Sequence, residues 1–395
     1  MASPTPAQTQ AGKVQAAQQA NAYARQLVLQ NGVESTQVIS NVTYTGGPGQ
    51  IITVPCRNVG LVKKFIVEVQ MNVTGTAGGP THTLTKLGAA NILSNITLTD
   101  LSNQQRVNTT GWHLQAVQSA KYRNPYGSAN GGTDTPYGYG INVQTVNNAP
   151  PIINGTTTGN NVSAMFEVPV SYSDTDMRGA IYAGVVGATF QLQFTINPAL
   201  FAASGTDGVL SMYQSSSATL ATTSSITIIV HQVYLDQLPM GKNGPILPLL
   251  DMNVGYMFNN TSQGGLVANQ DIPLQYANFR DFYSTTLVYD NAGVLNPGTD
   301  VTYFALQTAN LVNIFKVDPN VVTLWNRLRM NIDFPAGVYY FDHRAKPIAT
   351  VQYGNMALIA NLSSVTNSTS AILIGWEALA QFNQITGAGS LYGAG

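Results

Sequence analysis

Few side chains in this sequence could carry out catalysis, because the chain has four histidines, eighteen carboxylates and one cysteine. The histidines His82, His113, His231 and His343 are widely spaced, without the HxxxH or HxH spacing that brings two imidazoles to one metal ion. Neither a GxSxG nucleophile turn nor a phosphate-binding GxxxxGKS/T loop occurs. We therefore expect no catalytic site, no metal site and no cofactor, and we expect each histidine to pack or to hydrogen-bond.

Two nearby carboxylates, Asp174 and Asp176, are the best remaining candidates for a functional pair. A cation-binding loop is one interpretation, but the glycine and the terminal glutamate of an EF-hand are missing. A glycosidase pair is another, yet residues two apart on a polar loop have no reason to face each other across a sugar. The pattern favours a hydrogen-bonded turn.

The single cysteine, Cys56, excludes an intrachain disulfide. It follows Val54 and Pro55 at the end of a predicted strand, where a free cysteine behaves as a small apolar residue. No stretch approaches the roughly 18 apolar residues of a membrane span, and the N-terminus lacks the pattern of a secretory signal. We expect a soluble protein that is stabilised by packing.

Charged residues make up only 9% of the chain, against about 25% in an average soluble domain, while hydrophobic residues stand at 44%. The formal net charge is −1 and the isoelectric point is near 6.4. Such a surface lacks the repulsion that keeps proteins apart, so it tolerates close neighbours. There is no cluster of Lys and Arg that would bind a phosphate backbone, so we expect no direct contact with nucleic acid.

Residues 1–33 differ from the rest of the chain, since no Asp or Glu occurs before Glu34 and Gln and Ala dominate. Alanines and Leu27 recur at spacings of three and four, which predicts a helix from about Val14 to Leu29 with a weak apolar stripe. Packing on its own or a neighbouring subunit is the favoured role. The positive side chains Lys13 and Arg25, together with Leu27, also make an inward-facing or membrane-facing arm a hypothesis.

From residue 36 the chain is rich in β-branched residues that partly alternate with polar ones and are bounded by Gly and Pro. This predicts strands at residues 37–45, 51–54, 61–74, 96–101, 164–171, 188–196 and 226–235. The turn at Gly46-Gly-Pro-Gly49 is expected to join two of them. Residues 121–161 are rich in Gly, Asn, Pro and Tyr and predict a long surface excursion.

The segment 237–248 contains three prolines and an Asn-Gly pair, which makes it the predicted domain boundary. Strand patterns resume after it, and Asp318 followed by Pro319 predicts the start of a helix that packs on its own barrel. The later strands are predicted at residues 282–289, 301–306, 338–342, 348–360 and 371–376. We therefore divide the chain into an arm (1–33), two β-domains (34–240 and 241–384) and a flexible tail (385–395).

Seven or so short strands in each half, without alternating helices, predict an all-β protein with two eight-stranded jelly-roll barrels side by side. A faint internal similarity pairs the run ending at Asp100 with the run ending at Asp342, since each is followed by a polar turn. This pairing hints at a duplicated domain.

Several stretches resemble the tectivirus major capsid protein family, the double jelly-roll coat proteins of certain bacteriophages. They are Thr110-Gly-Trp-His-Leu114, Tyr234-Leu-Asp-Gln-Leu-Pro239, Gly244-Pro-Ile-Leu-Pro-Leu-Leu-Asp251, Asp333-Phe-Pro-Ala-Gly-Val-Tyr-Tyr-Phe-Asp342 with His343-Arg-Ala-Lys-Pro347, and Val351-Gln-Tyr-Gly-Asn355. The similarity extends from the arm through the boundary segment to the second predicted barrel.

This resemblance implies a major capsid protein that forms pseudo-hexagonal homotrimers. The trimers would tile the icosahedral shell of a non-enveloped double-stranded DNA phage with an internal membrane. It also implies synthesis in the bacterial cytoplasm, assembly with vertex and minor capsid proteins, and an arm directed inward. A viral spike or carbohydrate-binding β-sandwich is the alternative, and a β-sandwich glycosidase is a third class.

Overall fold

The structure of the protein, a computed structural model, describes most of the chain. The described residues are 6–44, 49–74, 84–122, 160–185, 190–202, 207–214, 221–222, 226–296, 298–350, 354–366 and 368–381. Some predictions fall outside them: His82, the centre of the turn at 46–49, most of the excursion at 121–161, and the tail at 385–395.

The N-terminal half (residues 33–236) follows a long helix and consists mainly of strands. The helices here are α1 (Pro6–Asn31), a short 3-10 helix (Gly88–Ile92) and α2 (Gly111–Tyr122). The strands are β1 (Val33–Tyr44), β2 (Ile51–Pro55), β3 (Leu61–Thr74), β4 (Leu93–Thr99), β5 (Gln105–Thr109), β6 (Asn160–Pro169), β7 (Ile181–Tyr182), β8 (Gln191–Ile196), β9 (Ala221–Thr222) and β10 (Ile226–Asp236). Every strand predicted in this half overlaps one of them.

The joint segment (residues 237–252) leads into the C-terminal half (residues 254–381). The joint segment contains β11 (Met240–Gly241), β12 (Gly244–Pro245) and the one-turn helix α3 (Leu249–Met252). The C-terminal half contains β13 (Val254–Gln263), β14 (Asp271–Gln275), β15 (Arg280–Asn291), β16 (Val294–Leu295), β17 (Val301–Thr308), β18 (Asn313–Val317), α4 (Pro319–Met330), β19 (Val338–Asp342), β20 (Ile348–Ala349), β21 (Met356–Leu362) and β22 (Ala371–Gln381).

The two halves share one strand order. In the N-terminal half the main strands form the layers β1-β10-β3-β6 and β2-β8-β4-β5. In the C-terminal half they form β13-β22-β15-β19 and β14-β21-β17-β18, which is the same order of equivalent strands. Each half also places a helix between its fifth and sixth main strands, α2 in the first and α4 in the second. The duplication therefore extends to topology.

The register confirms that the strands are equivalent, because a bulge recurs at the same place. The pairing of β3 with β10 skips Lys63 between Val62 and Lys64, and the pairing of β15 with β22 skips Tyr283 between Phe282 and Ser284. A bulge adds one residue to a strand and increases its twist. Its recurrence in both halves fixes which residues occupy equivalent positions.

A parallel strand pair joins the two halves into one continuous sheet. Strand β5 lies beside β13, with Val107 opposite Phe258 and Asn108 opposite Asn259. The larger apolar cluster accordingly contains Phe194 of the N-terminal half together with Phe258 and Tyr340 of the C-terminal half. A second cluster fills the barrel of the C-terminal half alone.

Alternating burial explains why these segments form sheets. In β10, Ile226, Ile228 and Val230 are buried, while the residues between them are half-buried. One face of the strand thus contributes to the core and the other to the surface, as the sequence pattern predicted.

Two details of the sequence analysis are wrong. The strand expected over 348–360 is divided into β20 and β21, because the Thr350 hydroxyl donates to the carbonyls of Ala277 and Arg280 and Gly354 turns the chain at φ +67°. The similarity between the runs ending at Asp100 and Asp342 pairs β4 with β19, which are not equivalent strands. Strands β5, β13, β14 and β18 and helix α2 were not predicted from the sequence.

Candidate functional site: the arm and the joint

The helical arm is attached to the rest of the protein at its C-terminal end. The side chain of Val28 is fully buried in a small apolar cluster with Leu61, Met177, Ala180 and Leu235. The described side chains from residue 12 to residue 20 are exposed or half-buried. Only the last part of α1 is therefore anchored in the core of one chain.

An ion pair joins the arm to the joint segment. The guanidinium of Arg25 donates from Nε to Oδ2 of Asp251 at 2.7 Å and from Nη2 to Oδ1 at 2.8 Å. Asn21 Nδ2 donates to Asp251 Oδ1 at 3.0 Å, and Asn21 Oδ1 accepts from the backbone N–H of Leu250 at 2.8 Å. Such a two-point contact holds the arm in one orientation.

The carboxylate of Asp251 is 1% exposed, and these donors offset the free-energy cost of burying its charge. Its backbone carbonyl also accepts a hydrogen bond from Gly179 N at 2.9 Å. The arm, the N-terminal half and the joint segment therefore meet at a single residue. Arg25 was a candidate from the sequence, but its partner Asp251, which lies 226 positions away, was not.

The three predicted arm residues lie in different environments. Lys13 is exposed, Arg25 is half-buried in the ion pair with Asp251, and Leu27 is half-buried. The carbonyl of Leu27 accepts from Asn31 Nδ2 at 2.9 Å near the helix end. Among the three, Lys13 is the exposed charge, whereas the charge of Arg25 is paired with Asp251.

A second polar cluster lies between the two halves around Glu377 of β22. This buried carboxylate accepts hydrogen bonds from the hydroxyls of Tyr256 and Ser284, and from Arg344 Nη2 at 3.1 Å. Burial alone would raise the pKa of Glu377, but Arg344 and the two hydroxyl donors outweigh it and lower the pKa. The cluster is a satisfied ion pair inside the protein.

His113 of α2 packs against this cluster from the N-terminal half. Its Nδ1 lies 2.7 Å from Thr109 Oγ1, and its ring centroid lies 5.8 Å from that of Phe258. Burial lowers the pKa of His113 to about 4, so the ring is neutral at pH 7. Burial likewise lowers the pKa of His343 to about 4. The ring of His113 is fully buried, whereas His343 and His231 are half-buried.

The loop carboxylates form a hydrogen-bonded turn. Asp176 N donates to Ser173 Oγ at 3.0 Å, and the Asp176 carboxylate forms a bidentate pair with Arg178. Asp174 lies 3.5 Å from Lys63 Nζ and 3.3 Å from Lys64 Nζ. The predicted turn is confirmed, and both carboxylates have cationic partners.

The remaining candidate groups offer little chemistry. Cys56 is half-buried, and burial raises the pKa of its thiol to about 12, which disfavours the reactive thiolate. Within the described ranges, no three His, Cys, Asp or Glu side chains are grouped so that they could hold a metal ion. No helix in the same ranges combines the length and apolar character that a membrane crossing needs.

Two family descriptions match this chain and together span most of it. Residues 2–238 match the family described as P3 major capsid protein N-terminal, and residues 253–392 match P3 major capsid protein C-terminal. The chain is also 38% identical over 389 residues to the major capsid protein P3 of Enterobacteria phage PRD1, covering 98% of each chain.

Solved structures of other viral capsid proteins share the fold. The crystal structure of the STIV MCP has a TM-score of 0.63 and 12% identity, covering 91% of this chain and 100% of that chain. The quasi-atomic model of the PBCV-1 virus capsid has a TM-score of 0.53 and 11% identity, covering 92% of this chain and 98% of that chain. These neighbours are double jelly-roll proteins, which confirms the expected fold class.

Proposed function

This chain belongs to the P3 major capsid protein family, and from that premise we propose that three copies form a pseudo-hexagonal homotrimer. As a member of this family it is a structural protein of a phage virion and not an enzyme. The trimers would tile the icosahedral shell of a non-enveloped double-stranded DNA bacteriophage with an internal membrane.

The observation that carries this proposal is the common strand order of the two halves. Three copies of a chain with two like barrels place six barrels around a threefold axis. Such a ring presents nearly equivalent sides to six neighbours, although it has only threefold symmetry. The duplication thus supports a hexagonal tile that is built from three chains.

The surface composition also supports close tiling. Only 9% of the residues are charged, so a contact between copies buries few charges and incurs little of their desolvation cost. The cores of stable protein interfaces are likewise depleted in charged residues.

We propose that the domains divide as the sequence indicates, with an arm at 1–33, barrels at 34–240 and 241–384, and a tail at 385–395. The arm would face the inside of the shell. Arg25 would hold its C-terminal end on the barrels, Leu27 would lie on the inward side of the arm, and the part of α1 that carries Lys13 would extend toward the internal membrane. The ion pair between Arg25 and Asp251 supports the proposal that the C-terminal end of the arm is the attached end.

The other proposed partners are vertex and minor capsid proteins, which would meet the trimers in the shell. Synthesis would take place in the cytoplasm of the host bacterium, followed by assembly into the virion. We propose no direct contact with nucleic acid, because the chain has a net charge of −1 and no basic cluster.

Native mass spectrometry of the purified protein tests the homotrimer directly. The expected result is a single species with three times the mass of the 42.0 kDa chain, stable at micromolar concentration. A strictly monomeric protein would contradict the proposal. Electron microscopy of particles tests the shell, and sedimentation with anionic vesicles tests the arm, with Lys13→Glu as the variant expected to bind less.

A further inference from the structure

Two edge strands, one in each half, have one side unpaired among the described residues of a single chain. In the described part of the chain β1 pairs only with β10, and β18 pairs only with β17. Each carries exposed apolar side chains, Val38 and Val42 on β1 and Ile314 on β18. An open strand edge with apolar side chains is a template for pairing with another chain.

The N-terminal half shows which strand can cover the free side of β18. In the common strand order, the equivalent of β18 is β5. Val107 of β5 pairs with Leu98 in the same way as Phe315 of β18 pairs with Leu306, so Val107 and Phe315 are equivalent residues. In both halves the following helix begins two residues after the strand ends. The outer side of β5 is covered by β13, which is the first main strand of the next barrel.

The strand equivalent to β13 is β1, the first main strand of the N-terminal half. Thr36 of β1 pairs with Val233, and Phe258 of β13 pairs with Glu377. Val233 and Glu377 are equivalent residues, because each lies at the recurring bulge. Thr36 therefore occupies the position of Phe258, and Gln37 that of Asn259. The free edge of β1 is the edge that β13 uses to accept β5.

The helices α2 and α4 differ in how far one equivalent side of each helix is buried. In α2 the residues His113, Ala116 and Ala120 are buried, and their spacing puts them on one side of the helix, where His113 contacts Phe258. Counting from the helix starts, the equivalent residues of α4 are Val321, Leu324 and Leu328. Leu324 is 50% exposed and Leu328 is 75% exposed. The stripe is thus buried in α2, whereas in α4 it is apolar and two of its three side chains are exposed.

A cleft of about 810 Å³ lies next to this stripe, between α4, β18 and residues 340–348. Its lining includes Ile314, Phe315 and Trp325 together with Arg329 and Asp342, so it is largely apolar with charges of both signs. An apolar cleft beside an exposed apolar stripe is typical of an interface with another chain.

We propose that α4 and the free edge of β18 in one copy dock on the β1 edge of a second copy. This contact reproduces between chains the contact that α2 and β5 make with β13 inside one chain. The inference rests on the proposed homotrimer and specifies its contact surface. Because the two surfaces differ, the contact is heterologous, and three copies close it into a ring. Phe315 is then opposite Thr36 of the next copy, and Lys316 is opposite Gln37.

Disulfide trapping tests this register. Gln37→Cys and Lys316→Cys are introduced together in a Cys56→Ala chain, since opposed strand residues bring two Cα atoms within the range of a disulfide. Mild oxidation of the trimer should give covalently linked dimers and trimers on a denaturing gel. The matched control combines Lys316→Cys with Thr53→Cys on β2, and it should remain unlinked. A trimer in which only the control pair links, or neither pair does, would overturn the inference.

A second test changes the apolar stripe of α4. Leu324→Asp with Leu328→Asp should convert the trimer to monomer while the far-ultraviolet circular dichroism spectrum stays unchanged. Leu210→Asp, at a site 51% exposed, is the control and should remain trimeric. If the double variant does not fold, the cysteine pair decides. A monomeric wild type contradicts the proposed function, whereas a trimer that survives the double substitution and does not link contradicts this inference alone.

Discussion

The imidazole of His113 in α2 lies directly on the backbone of Gly375 in β22, at the boundary between the two halves. A Cβ atom at position 375 would lie 2.3 Å from His113 Cδ2 and 2.4 Å from Cγ. Real Cβ atoms do not approach other atoms so closely, so the ring can occupy this place only because residue 375 is glycine. The packing of the two halves depends on this one missing side chain.

Gly375→Ala should therefore destabilise the protein by about 1–3 kcal/mol, the usual cost of overpacking a well-filled interior. Urea unfolding at one protein concentration measures the change. Gly264→Ala is the control, since nothing lies within 4 Å of a Cβ there, and its effect should be small. Adding His113→Ala to Gly375→Ala should recover part of the loss. Simple additivity of the two substitutions would show that the ring and residue 375 do not interact.

Acid should destabilise the protein through His113 and His343, whose rings are largely shielded from water. The pKa of His113 and that of His343 are both about 4, below the unfolded value of about 6.5, because burial disfavours the charged ring. Between these values the unfolded chain binds more protons than the folded one. The contribution of each ring to stability is thus complete above pH 6.5 and is lost as the pH falls toward 4.

The variant His343→Phe tests this contribution by unfolding measurements between pH 7.5 and pH 5. Removal of one titrating ring should reduce the slope of the unfolding free energy by at most about 1.4 kcal/mol per pH unit. The wild type, measured over the same pH range, is the reference for this slope. An unchanged slope in His343→Phe would show that this ring does not titrate differently on folding.

Only some of this architecture could be predicted from sequence. The start of α4 was predictable because its signal is local: Asp318 accepts from Asn320 N at 2.8 Å, directly before Pro319. Helix α2 was missed because it begins at Gly111 and is buried on most sides, so it has no polar stripe to reveal its period. Strand β14 was missed because it contains Pro273 and is short.

Contacts between distant residues could not be predicted at all from one sequence. Nothing near Arg25 indicates that its partner is Asp251, and nothing near β5 indicates that β13 lies beside it. The resemblance to capsid proteins identified the family, but the equivalence of β1 with β13 depends on the register of the bulges. Which strands and residues are equivalent in the two halves could therefore be determined only from the structure.

The ion pair between Arg25 and Asp251 should stabilise the attachment of the arm. Arg25→Met leaves a buried carboxylate with Asn21 as its remaining side-chain donor, and we expect a loss of about 2 kcal/mol, moderated by the partial exposure of Arg25. Combining it with Asp251→Asn removes the unpaired charge and should restore part of the stability. Lys13→Met, in the exposed part of the same helix, is the control. Equal unfolding free energies for wild type and Arg25→Met would contradict this account.

Truncation of the arm should have two distinct outcomes that depend on where it ends. Removal of residues 1–20 keeps Asn21, Arg25 and Val28, so the shortened protein should retain the wild-type unfolding midpoint and the trimer while losing affinity for anionic vesicles. Removal of residues 1–30 also exposes the carboxylate of Asp251 and the cluster around Val28, so its midpoint should fall by several degrees. Thermal unfolding, native mass spectrometry and vesicle sedimentation compare the two variants. If both keep the wild-type midpoint, the contacts of residues 21–30 contribute nothing to the fold; if the shorter truncation already dissociates the trimer, the exposed part of the arm holds the subunits together.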